Sequence, residues 1–531
     1  MALLPQLPDR FNVADHFILP RLEAGQGAQP YLLCGEDSLS VEALHRRAGQ
    51  AAHALRGLGL RRGQRVALLL RESLEFPVCF WGAVRAGLIP VPLNTVLTGA
   101  DYRHTLGDSR ARALIVDAAL WPTVAPVLGE LPHLRHVVLA GAGLPGHPEL
   151  GALLGEAPET FPTRMAHPDD PAFWLYTSGS TGAPKAAVHR QRDMVCVVET
   201  YLRHVLRLGA HDLSFSAAKL FFAYGLGNSL VFPLAAGCAA VVQPEPATAR
   251  VCFAVLARHR PTVFHAVPTL YNAMLQLHDA WRAGREQPPQ PLPRLEHLRL
   301  AVSGGEPLPP AVLERWQAAF GVPILDGIGS TEALHFYVAN RPGQVRPGST
   351  GLAVPGYDLR IVDGAGRDVP AGQPGELWVR GGSLLARYWA QPARTRRVLR
   401  GGWFASGDRF RRDAEGWYWY EGRTDDLLKV GGSWVNPAEL EHALLTHPAV
   451  AECAVVGRAD GAGLTKALAC VVPRPGHPPG EALAEALRAH VAERLAAFKV
   501  PQWVEFRNEL PRTASGKLRR FLLRDGSAAE A

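Results

Sequence analysis

The sequence predicts a layered α/β protein, with a large N-terminal domain of mostly parallel sheets and a small α+β C-terminal domain. Short apolar runs rich in Val, Ile and Leu alternate with segments of helical period over several hundred residues. Between residues 347 and 420 the pattern changes to short strands separated by glycine-rich turns. At 531 residues the chain also exceeds the length at which one hydrophobic core stops growing, so more than one domain is expected.

The first half of the chain carries the clearest elements. A helix is expected to begin after Ser40, with Glu42 in its first turn, and to end near Gly57 and Gly59. Ligands of such folds bind at the carboxyl ends of the strands, where the loops lie. The predicted buried strands are the apolar runs at residues 65–70, 111–117, 136–140 and 298–305.

The glycine-rich region is expected to form a smaller, β-barrel-like subdomain at residues 346–421. Segments such as GELWVRGG and GWYWYEG supply its strands. After Arg423 the α/β pattern returns, and EALAEALRAHVAERLAA predicts a helix there. We place a domain boundary at Asp425, which divides the chain into a core at residues 1–424 and a lid at residues 425–531.

The composition argues against several classes of protein. No apolar run reaches the roughly eighteen residues that a membrane span needs, and the N-terminus resembles neither a signal nor a transit peptide. We therefore expect no membrane span and a cytoplasmic location. Seven scattered cysteines without a C-x-x-C pair predict reduced, mostly buried thiols. A net charge of +7 gives no dense basic stripe, which argues against a nucleic-acid partner, while an oligomer is compatible with the sequence.

The segment YTSGSTGAPKAAVH, at residues 176–189, is the most informative part of the sequence. Four hydroxyl residues alternate with two glycines ahead of Pro184 and Lys185, so that N–H groups, hydroxyls and a positive charge can surround a phosphate. The spacing is not that of a P-loop, because Lys185 does not follow a glycine and Ala186 stands where a Ser or Thr would hold Mg²⁺. A flexible linker is the alternative interpretation, which the strand-like FWLY before the loop disfavours.

This loop resembles the signature of the adenylate-forming superfamily, which includes acyl- and aryl-CoA synthetases, luciferases and peptide-synthetase adenylation domains. The resemblance covers essentially the whole chain and implies ATP, Mg²⁺, an acyl-adenylate and a mobile C-terminal lid. Four further segments are similar to family motifs and follow in the family's order: DGIGSTE (326–332), WFASGD (403–408), GRTDDLLKVGGSWVNPAELE (422–441) and PRTASGKLRR (511–520).

The resemblance implies a set of site residues. Glu332 suits a Mg²⁺ that bridges ATP phosphates, and a surface helix cap is its alternative role. Asp408 can accept hydrogen bonds from the ribose hydroxyls and Arg423 can add a positive charge, although an ordinary turn and ion pair would show the same pattern. The implied catalytic residues are Lys517, Glu332, Thr177 and Lys185. The implied ATP- or AMP-binding residues are Thr177, Ser178, Gly179, Ser180, Thr181, Gly182, Lys185, Gly304, Gly305, Glu306, Pro307, Asp326, Gly327, Ile328, Gly329, Ser330, Thr331, Asp408, Arg423 and Lys517.

The C-terminal motifs imply the remaining machinery. Lys517 alone would be interpreted as a solvated lysine. The resemblance implies instead that it bridges the substrate carboxylate and the α-phosphate, where its charge offsets the negative charge that develops. Asp425 matches the position about which the family's lid rotates between adenylation and thioester formation. Gly431, Gly432 and Trp434 would line a channel for the pantetheine arm of CoA.

The segment SAAKLFFAYGLGNSLVFPLAAG, at residues 216–237, indicates the substrate. Taken alone it predicts an apolar core helix. With FHAVPTLYNAML (264–275) and LDGIGSTEALHFYVAN (325–340) it resembles benzoate-CoA ligases and their hydroxybenzoate relatives, which implies a flat aromatic pocket. A hydrogen-bonded structural role is the alternative for His335. The implied aryl-site residues are Ala223, Tyr224, Gly225, Gly329, His335, Phe336 and Lys517.

The expected function is an ATP-dependent aryl carboxylate–CoA ligase that forms an aryl-adenylate and releases AMP and pyrophosphate. Benzoate, hydroxybenzoates, aminobenzoates and halogenated analogues remain open as substrates. One alternative transfers the acyl group to the phosphopantetheine of a carrier protein. Another is a nucleotide-binding regulator without catalysis, which Glu332, Asp408, Arg423 and Lys517 argue against. A luciferase-type oxygenase is a third, which the aryl-like pocket does not favour.

Overall fold

A computed structural model describes residues 5–141, 143–177, 184–287, 294–424, 428–430, 433–460, 464–512 and 518–524. The strands of the first part are β1 (Pro30–Cys34), β2 (Asp37–Ser40), β3 (Arg65–Leu69), β4 (Ile89–Pro92), β5 (Ala113–Asp117), β6 (His136–Ala140), β7 (Pro171–Thr177) and β8 (Lys185–Arg190). Its helices are α1 (Val13–Glu23), α2 (Val41–Gly57), α3 (Glu75–Arg85), α4 (Gly99–Ser109), α5 (Trp121–Leu128), α6 (Leu150–Glu156) and α7 (Gln191–Val197).

The first part contains a parallel sheet with strand order β4-β3-β5-β6. Its strands are almost wholly buried, as the continuous apolar runs predict. Helix α2 begins where the sequence predicts, because the Ser40 side chain accepts a hydrogen bond from the N–H of Ala43. Helix α3 packs closely on α2, since a Cβ added at Gly82 would lie 2.6 Å from that of Ala51.

The middle of the chain forms the largest sheet. Its strands are β9 (Leu213–Ser216), β10 (Ala239–Val242), β11 (Val263–Ala266), β12 (Leu300–Ser303), β13 (Ile324–Gly329), β14 (Phe336–Ala339) and β15 (Leu352–Ala353). Its helices are α8 (Ala223–Gly225), α9 (Phe232–Ala236), α10 (Ala249–His259), α11 (Pro268–Arg282) and α12 (Pro310–Phe320). The sheet has nine strands in the order β15-β14-β13-β12-β11-β9-β10-β1-β2, and β9 to β13 run parallel.

Two stretches of this region are π-helical, Val198–Leu206 after α7 and Leu226–Val231 between α8 and α9. Such wide turns are often found at functional sites. The carboxyl ends of β9, β11, β12 and β13 meet at one edge of the sheet, which is where a ligand is expected in a fold of this kind.

The last part begins with an antiparallel sheet. Its strands and those that follow are β16 (Asp358–Val362), β17 (Gly375–Arg380), β18 (Arg387–Tyr388), β19 (Leu399–Arg400), β20 (Trp403–Arg412), β21 (Tyr418–Arg423), β22 (Leu428–Val430), β23 (Ser433–Val435), β24 (Val450–Ala459), β25 (Thr465–Pro473) and β26 (Trp503–Phe506). The helices are α13 (Pro392–Val398), α14 (Pro437–Leu445), α15 (Glu481–Ala492) and α16 (Arg520–Arg524).

Strands β16, β17, β20, β19 and β21 form the antiparallel sheet, whereas β18 joins β8 and β7. The β18–β8 pairing matters for the site, because it places Tyr388 opposite Ala187. Strands β24, β25 and β26 form a small sheet with a separate hydrophobic core. The predicted α/β fold class is confirmed. The predicted boundary at Asp425 lies outside the described residues and stays a prediction.

Two further expectations concern the whole chain. No helix in the described ranges is long and apolar enough to cross a membrane. All seven cysteines are free, and five of them are buried, which agrees with the expected reduced thiols.

Candidate active site

The two ends of the predicted phosphate loop lie opposite each other on paired antiparallel strands. Thr177 ends β7 and Lys185 begins β8, and the two residues are partners in the ladder. The phenol of Tyr176 anchors this end of β7, because it donates a 2.7 Å hydrogen bond to the Asp108 carboxylate. The loop residues Ser178, Gly179, Ser180, Thr181 and Gly182 lie outside the described residues.

Lys185, Glu332 and Tyr388 form a buried polar cluster. The phenol of Tyr388 donates a 2.5 Å hydrogen bond to Oε1 of Glu332 and accepts a 2.6 Å hydrogen bond from Nζ of Lys185. The same ammonium lies 3.1 Å from Oε1 of Glu332 and 4.1 Å from the centre of the Tyr388 ring. The structure therefore brings together two of the predicted catalytic residues, Lys185 and Glu332.

Burial and charge set the protonation of this cluster. Burial lowers the pKa of Lys185, and the Glu332 carboxylate opposes that effect. Burial alone would raise the pKa of Glu332, but the charge of Lys185 and the hydrogen bond from Tyr388 outweigh it and hold that pKa below its ordinary value. Burial, followed by the charge of Glu332, raises the pKa of Tyr388, which keeps the phenol protonated as a donor. The cluster thus contains an ionised Glu332 carboxylate that is shielded from water.

The backbone holds Glu332 firmly in place. Glu332 lies in a short 3₁₀ turn, Thr331–Ala333, and its carbonyl accepts a 2.7 Å hydrogen bond from the N–H of Leu385. Only 8% of the residue is exposed, which does not fit a surface helix cap. The described residues contain no group of three metal-binding side chains. A single buried carboxylate suits Mg²⁺, which proteins bind through one or two carboxylates while phosphates and waters complete the shell.

Asp408 and Arg423 face each other across strands β20 and β21. They are partners in the ladder, and Nη1 of Arg423 donates a 3.1 Å hydrogen bond to Oδ1 of Asp408. Gly407 has a φ of +75°, and a Cβ there would lie 2.8 Å from the Arg423 guanidinium, so the turn requires glycine. This geometry is compatible with a ribose-binding site and also with a simple ion pair. The role of Asp408 and Arg423 in ribose binding therefore stays a prediction.

Two segments of the predicted ATP- or AMP-binding residues lie at the edge where β12 and β13 end. Residues 304–307 follow β12, and residues 326–331 cover the end of β13 and the turn after it. The Glu306 carboxylate accepts a 2.6 Å hydrogen bond from the hydroxyl of Thr269. Its other oxygen accepts a 3.1 Å hydrogen bond from Arg512, which precedes Lys517 in the PRTASGK motif. The C-terminal region therefore contacts the core at a predicted nucleotide segment.

Aromatic side chains form a compact cluster beside these segments. The rings of Tyr224 and Phe336 are stacked, with centroids 5.3 Å apart and planes 18° from parallel. His335 lies between Tyr201 and Phe232, with both ring centroids 4.7 Å from its own. The structure therefore brings together Tyr224, His335 and Phe336 of the predicted aryl site, beside Ala223 and Gly225 of α8.

Three glycines of the predicted sites make room for Phe336. A Cβ added at Gly304 would lie 2.3 Å from Cζ of Phe336, and one at Gly327 would lie 2.6 Å from Cδ2 of the same ring. At Gly329 it would lie 2.9 Å from Cδ1 and closer still to the His335 backbone. Any side chain at these positions would collide with Phe336, so the aromatic cluster depends on all three glycines.

Buried polar atoms without partners surround the aromatic cluster. Among the described residues, neither ring nitrogen of His335 or of His265 has a hydrogen-bond partner, and neither does the side-chain amide of Asn228. Burial lowers the pKa of His265 to about 3 and holds that of His335 well below its ordinary value, so both rings are neutral. His335 therefore does not fit the alternative of a hydrogen-bonded structural histidine. Natural proteins rarely leave such atoms unpaired without a functional reason.

Some of the predicted site residues lie outside the part of the chain that the structure describes, and several residues of the site were not predicted from the sequence. Lys517, Asp425, Gly431 and Gly432 are outside the described residues, and so is the side chain of Trp434. Tyr388 and Tyr201 belong to the clusters but carry no local motif, whereas Phe232 lies within the segment at residues 216–237 and was not singled out there. The only signal for Tyr388 is its place in the strand that pairs with β8, which the sequence alone does not reveal.

Comparisons with known proteins agree with this geometry. The family model described as "AMP-binding enzyme" matches residues 22–389, and that of the "AMP-binding enzyme C-terminal domain" matches residues 439–517. A benzoate–CoA ligase from Thauera aromatica is 45% identical over 98% of this chain and 97% of its own length.

Two solved structures are similar over nearly the whole chain. The anthranilate CoA ligase AuaEII, in complex with anthranoyl-AMP, has a TM-score of 0.92 and 38% identity, and 98% of each chain is covered. A benzoate CoA ligase from Burkholderia xenovorans LB400 has a TM-score of 0.88 and 41% identity, covering 97% of this chain and 100% of that one. The chain therefore belongs to the family of AMP-binding, adenylate-forming enzymes.

Proposed function

We propose that this protein is an ATP-dependent aryl carboxylate–CoA ligase that acts on benzoate or a substituted benzoate. The observation that carries the proposal is the stack of Tyr224 on Phe336, which lies beside the same strand ends as the predicted nucleotide segments. Flat aromatic walls favour a flat ring over a flexible aliphatic chain. The names of the similar ligases support the same substrate class.

In the first half-reaction, a carboxylate oxygen of the aryl acid attacks the α-phosphorus of ATP, and pyrophosphate leaves. Lys185 and Thr177 flank the phosphate loop, so that an ammonium and a hydroxyl are available to the triphosphate. Glu332 would hold Mg²⁺, which neutralises charge on the phosphates when bound. Tyr388 fixes the direction of both the carboxylate and the ammonium.

Lys517 is proposed to contact the reacting carboxylate and the α-phosphate. A point charge at this position stabilises the negative charge that develops on the phosphoryl oxygens. Arg512, in the same motif, already contacts Glu306 of the core, which supports an approach of this segment to the site. Asp408 and Arg423 are proposed to bind the ribose and to orient the nucleotide.

In the second half-reaction, the thiol sulfur of CoA attacks the carbonyl carbon of the aryl-adenylate, loses its proton, and AMP leaves. Rotation of the lid about Asp425 is proposed to separate the two steps. Gly431, Gly432 and Trp434 are proposed to line the pantetheine channel. Transfer to a carrier-protein phosphopantetheine uses the same thiol chemistry and remains the second candidate function.

The proposal is tested by the products. Purified protein is incubated with ATP, Mg²⁺, benzoate and CoA, and AMP, pyrophosphate and benzoyl-CoA are measured by chromatography and mass spectrometry. The proposal predicts the three products in equal amounts, with saturation at micromolar CoA. Adenylate formation without thioester on free CoA would instead favour the carrier-loading function.

A further inference from the structure

A turn at residues 217–222 supports one wall of the aryl site. It connects the end of β9 to the start of α8, which carries Ala223, Tyr224 and Gly225. Backbone hydrogen bonds hold both ends of the turn, from the N–H of Ala217 to the His265 carbonyl at 2.8 Å and from the N–H of Phe222 to the Lys219 carbonyl at 3.0 Å. The position of α8 therefore depends on this turn.

The turn lies in direct contact with Gly225. A Cβ added at Gly225 would lie 2.1 Å from the Lys219 carbonyl oxygen and 2.4 Å from that of Ala218. No space separates the turn from the helix that carries the aryl-site residues. Protein interiors transmit displacements of this kind because they are close-packed.

Glu72, in the segment that follows β3 of the four-stranded parallel sheet, holds the turn in place. Only 5% of the residue is exposed, and its Oε1 accepts a 2.8 Å hydrogen bond from the N–H of Leu220. Its Oε2 lies 3.2 Å from Nζ of Lys219. One carboxylate thus binds both the backbone and the side chain of the turn.

Lys219 completes the connection on its other side. Its ammonium donates hydrogen bonds to the backbone carbonyls of two residues that follow β10. These are Gln243 and Glu245, and the bond to Glu245 is 2.8 Å long. An ammonium has three N–H donors, and the two carbonyls and Glu72 account for all three. Lys219 is therefore committed within the protein and is not placed to bind the carboxylate of a substrate.

Glu72 is buried, whereas the side chain of Lys219 is 19% exposed, and an ion pair with a buried carboxylate is seldom retained for stability alone. Removing both charges from water costs free energy that the attraction between them often does not recover, whereas removal of one partner leaves the other charge buried and unpaired. Burial raises the pKa of Glu72 above its ordinary value, although Lys219 opposes the effect. Burial therefore disfavours the charged form of Glu72 even beside Lys219, which agrees with a carboxylate kept for the geometry that it imposes on the turn.

We propose that Glu72 and Lys219 are positioning residues that fix the turn at residues 217–222 and thereby the Ala223–Gly225 wall of the acid site. The inference rests on the proposed function, because it assigns the acid to that wall. Neither residue touches the substrate. Their effect is on the affinity for the carboxylic acid, and ATP recognition at Lys185 and Glu332 is independent of them.

The test uses the full-length protein and three variants, Lys219→Met, Glu72→Gln and the double variant. Pyrophosphate exchange gives KM for benzoate and for ATP separately. We expect Lys219→Met to raise KM for benzoate by about tenfold or more, because it leaves Glu72 buried and unpaired. Glu72→Gln should have a smaller effect, since its amide oxygen can still accept from Leu220. The KM for ATP should stay within about twofold in every variant, since the residues of the phosphate site keep their contacts.

The double variant guards against a folding defect, because it contains no unpaired buried charge, and it should still show a raised KM for benzoate. Arg299→Met is the matched control, since Arg299 pairs with Asp212 next to the opposite end of β9. It should leave KM for benzoate unchanged. An equal rise in both KM values, or a Lys219→Met variant with the wild-type KM for benzoate, would overturn the positioning role.

The outcome for the wild-type protein separates this inference from the proposed function. If the wild-type protein activates only non-aromatic acids, the proposed function is wrong, yet a selective rise in KM for that acid would still support the positioning role. If it activates benzoate and the variants show no selective rise, the positioning role is wrong and the proposed function stands.

Discussion

Tyr388 is hydrogen-bonded to Glu332 through a 2.5 Å contact, although the two residues are 56 positions apart in the chain. The same hydroxyl accepts a 2.6 Å hydrogen bond from Lys185, which is 203 positions away. One phenol therefore sets the relative position of the phosphate-loop lysine and the proposed Mg²⁺ carboxylate. It links two motifs that the sequence shows only as separate segments.

Tyr388→Phe should weaken the handling of MgATP and leave recognition of the acid intact. It removes hydrogen bonds to two charged groups, each worth about 1.5–3 kcal/mol, so we expect at least about a tenfold loss of kcat/KM for MgATP in pyrophosphate exchange. The KM for benzoate should remain within about twofold, because the aryl cluster keeps its contacts. If Tyr388→Phe has the wild-type kcat/KM for MgATP, the proposed role of Tyr388 is wrong.

Lys517→Ala should nearly abolish adenylate formation while ATP affinity stays within a few fold. Loss of a group that stabilises charge in the transition state typically costs about 10²–10³ in rate. Pyrophosphate exchange measures the rate and equilibrium dialysis measures ATP binding. Lys466→Ala, in β25 of the same region, is the control and should behave as wild type. An exchange rate close to wild type in Lys517→Ala would defeat the assignment.

Gly304→Ala should disturb the aromatic cluster. Its Cβ would lie 2.3 Å from Phe336, and overpacking of this kind costs about 1–3 kcal/mol, so we expect KM for benzoate to rise by about tenfold. Adding Phe336→Leu should recover part of the loss, because the colliding ring is removed. Gly364→Ala, where a Cβ would meet nothing within 4 Å, is the control. If Gly304→Ala has the wild-type KM for benzoate, the prediction is wrong, because the Phe336 ring then moves away from the added methyl group without loss of binding.

Asp326→Asn should change the pH dependence of stability. Burial raises the pKa of Asp326 well above its ordinary value of 3.8, so the folded state retains a proton that the unfolded state loses. Stability from this group is therefore lost as pH rises from 3.8 through the folded pKa, and the Asn variant cannot show that loss. Calorimetric Tm values should fall less between pH 4 and pH 8 than in the wild-type protein.

Asp212→Asn provides the opposite control. Burial would raise the pKa of Asp212, but hydrogen bonds from Arg299 and Thr262 outweigh it and lower that pKa. The stability that ionised Asp212 contributes is present above the ordinary pKa of 3.8. It is lost as pH falls through the lower pKa that Asp212 has in the folded state. The Asn variant should therefore lose stability at neutral pH. If Tm depends on pH in the same way in both variants and in the wild-type protein, the assigned pKa shifts of Asp326 and Asp212 are both wrong.

Local sequence signals predicted the elements that depend on local physics. The run HVVLA forms β6 at His136–Ala140, and α2 starts at the residue after Ser40, as the cap predicts. The hydroxyls, glycines and lysine of residues 176–189 predicted that Thr177 and Lys185 belong to one phosphate-binding loop, and the β7–β8 ladder pairs the two residues.

Contacts between distant segments were not predictable in this way. Tyr388 reaches the site because β18 pairs with β8, and Glu72 contacts the turn before α8 from the distant segment that follows β3. No periodicity or capping pattern encodes such pairings, since tertiary packing decides them. Resemblance to a family implied the roles of Glu332, His335 and Phe336, and the structure supplied the contacts that each of them makes.

The most direct test of the central claim is a comparison of carboxylic acids under one set of conditions. The value of kcat/KM is measured by AMP release with ATP, Mg²⁺ and CoA for benzoate, hydroxybenzoates, aminobenzoates and straight-chain fatty acids. The stack of Tyr224 on Phe336 predicts that at least one benzoate exceeds every fatty acid by about 10²-fold or more. Activity confined to fatty acids would contradict the account.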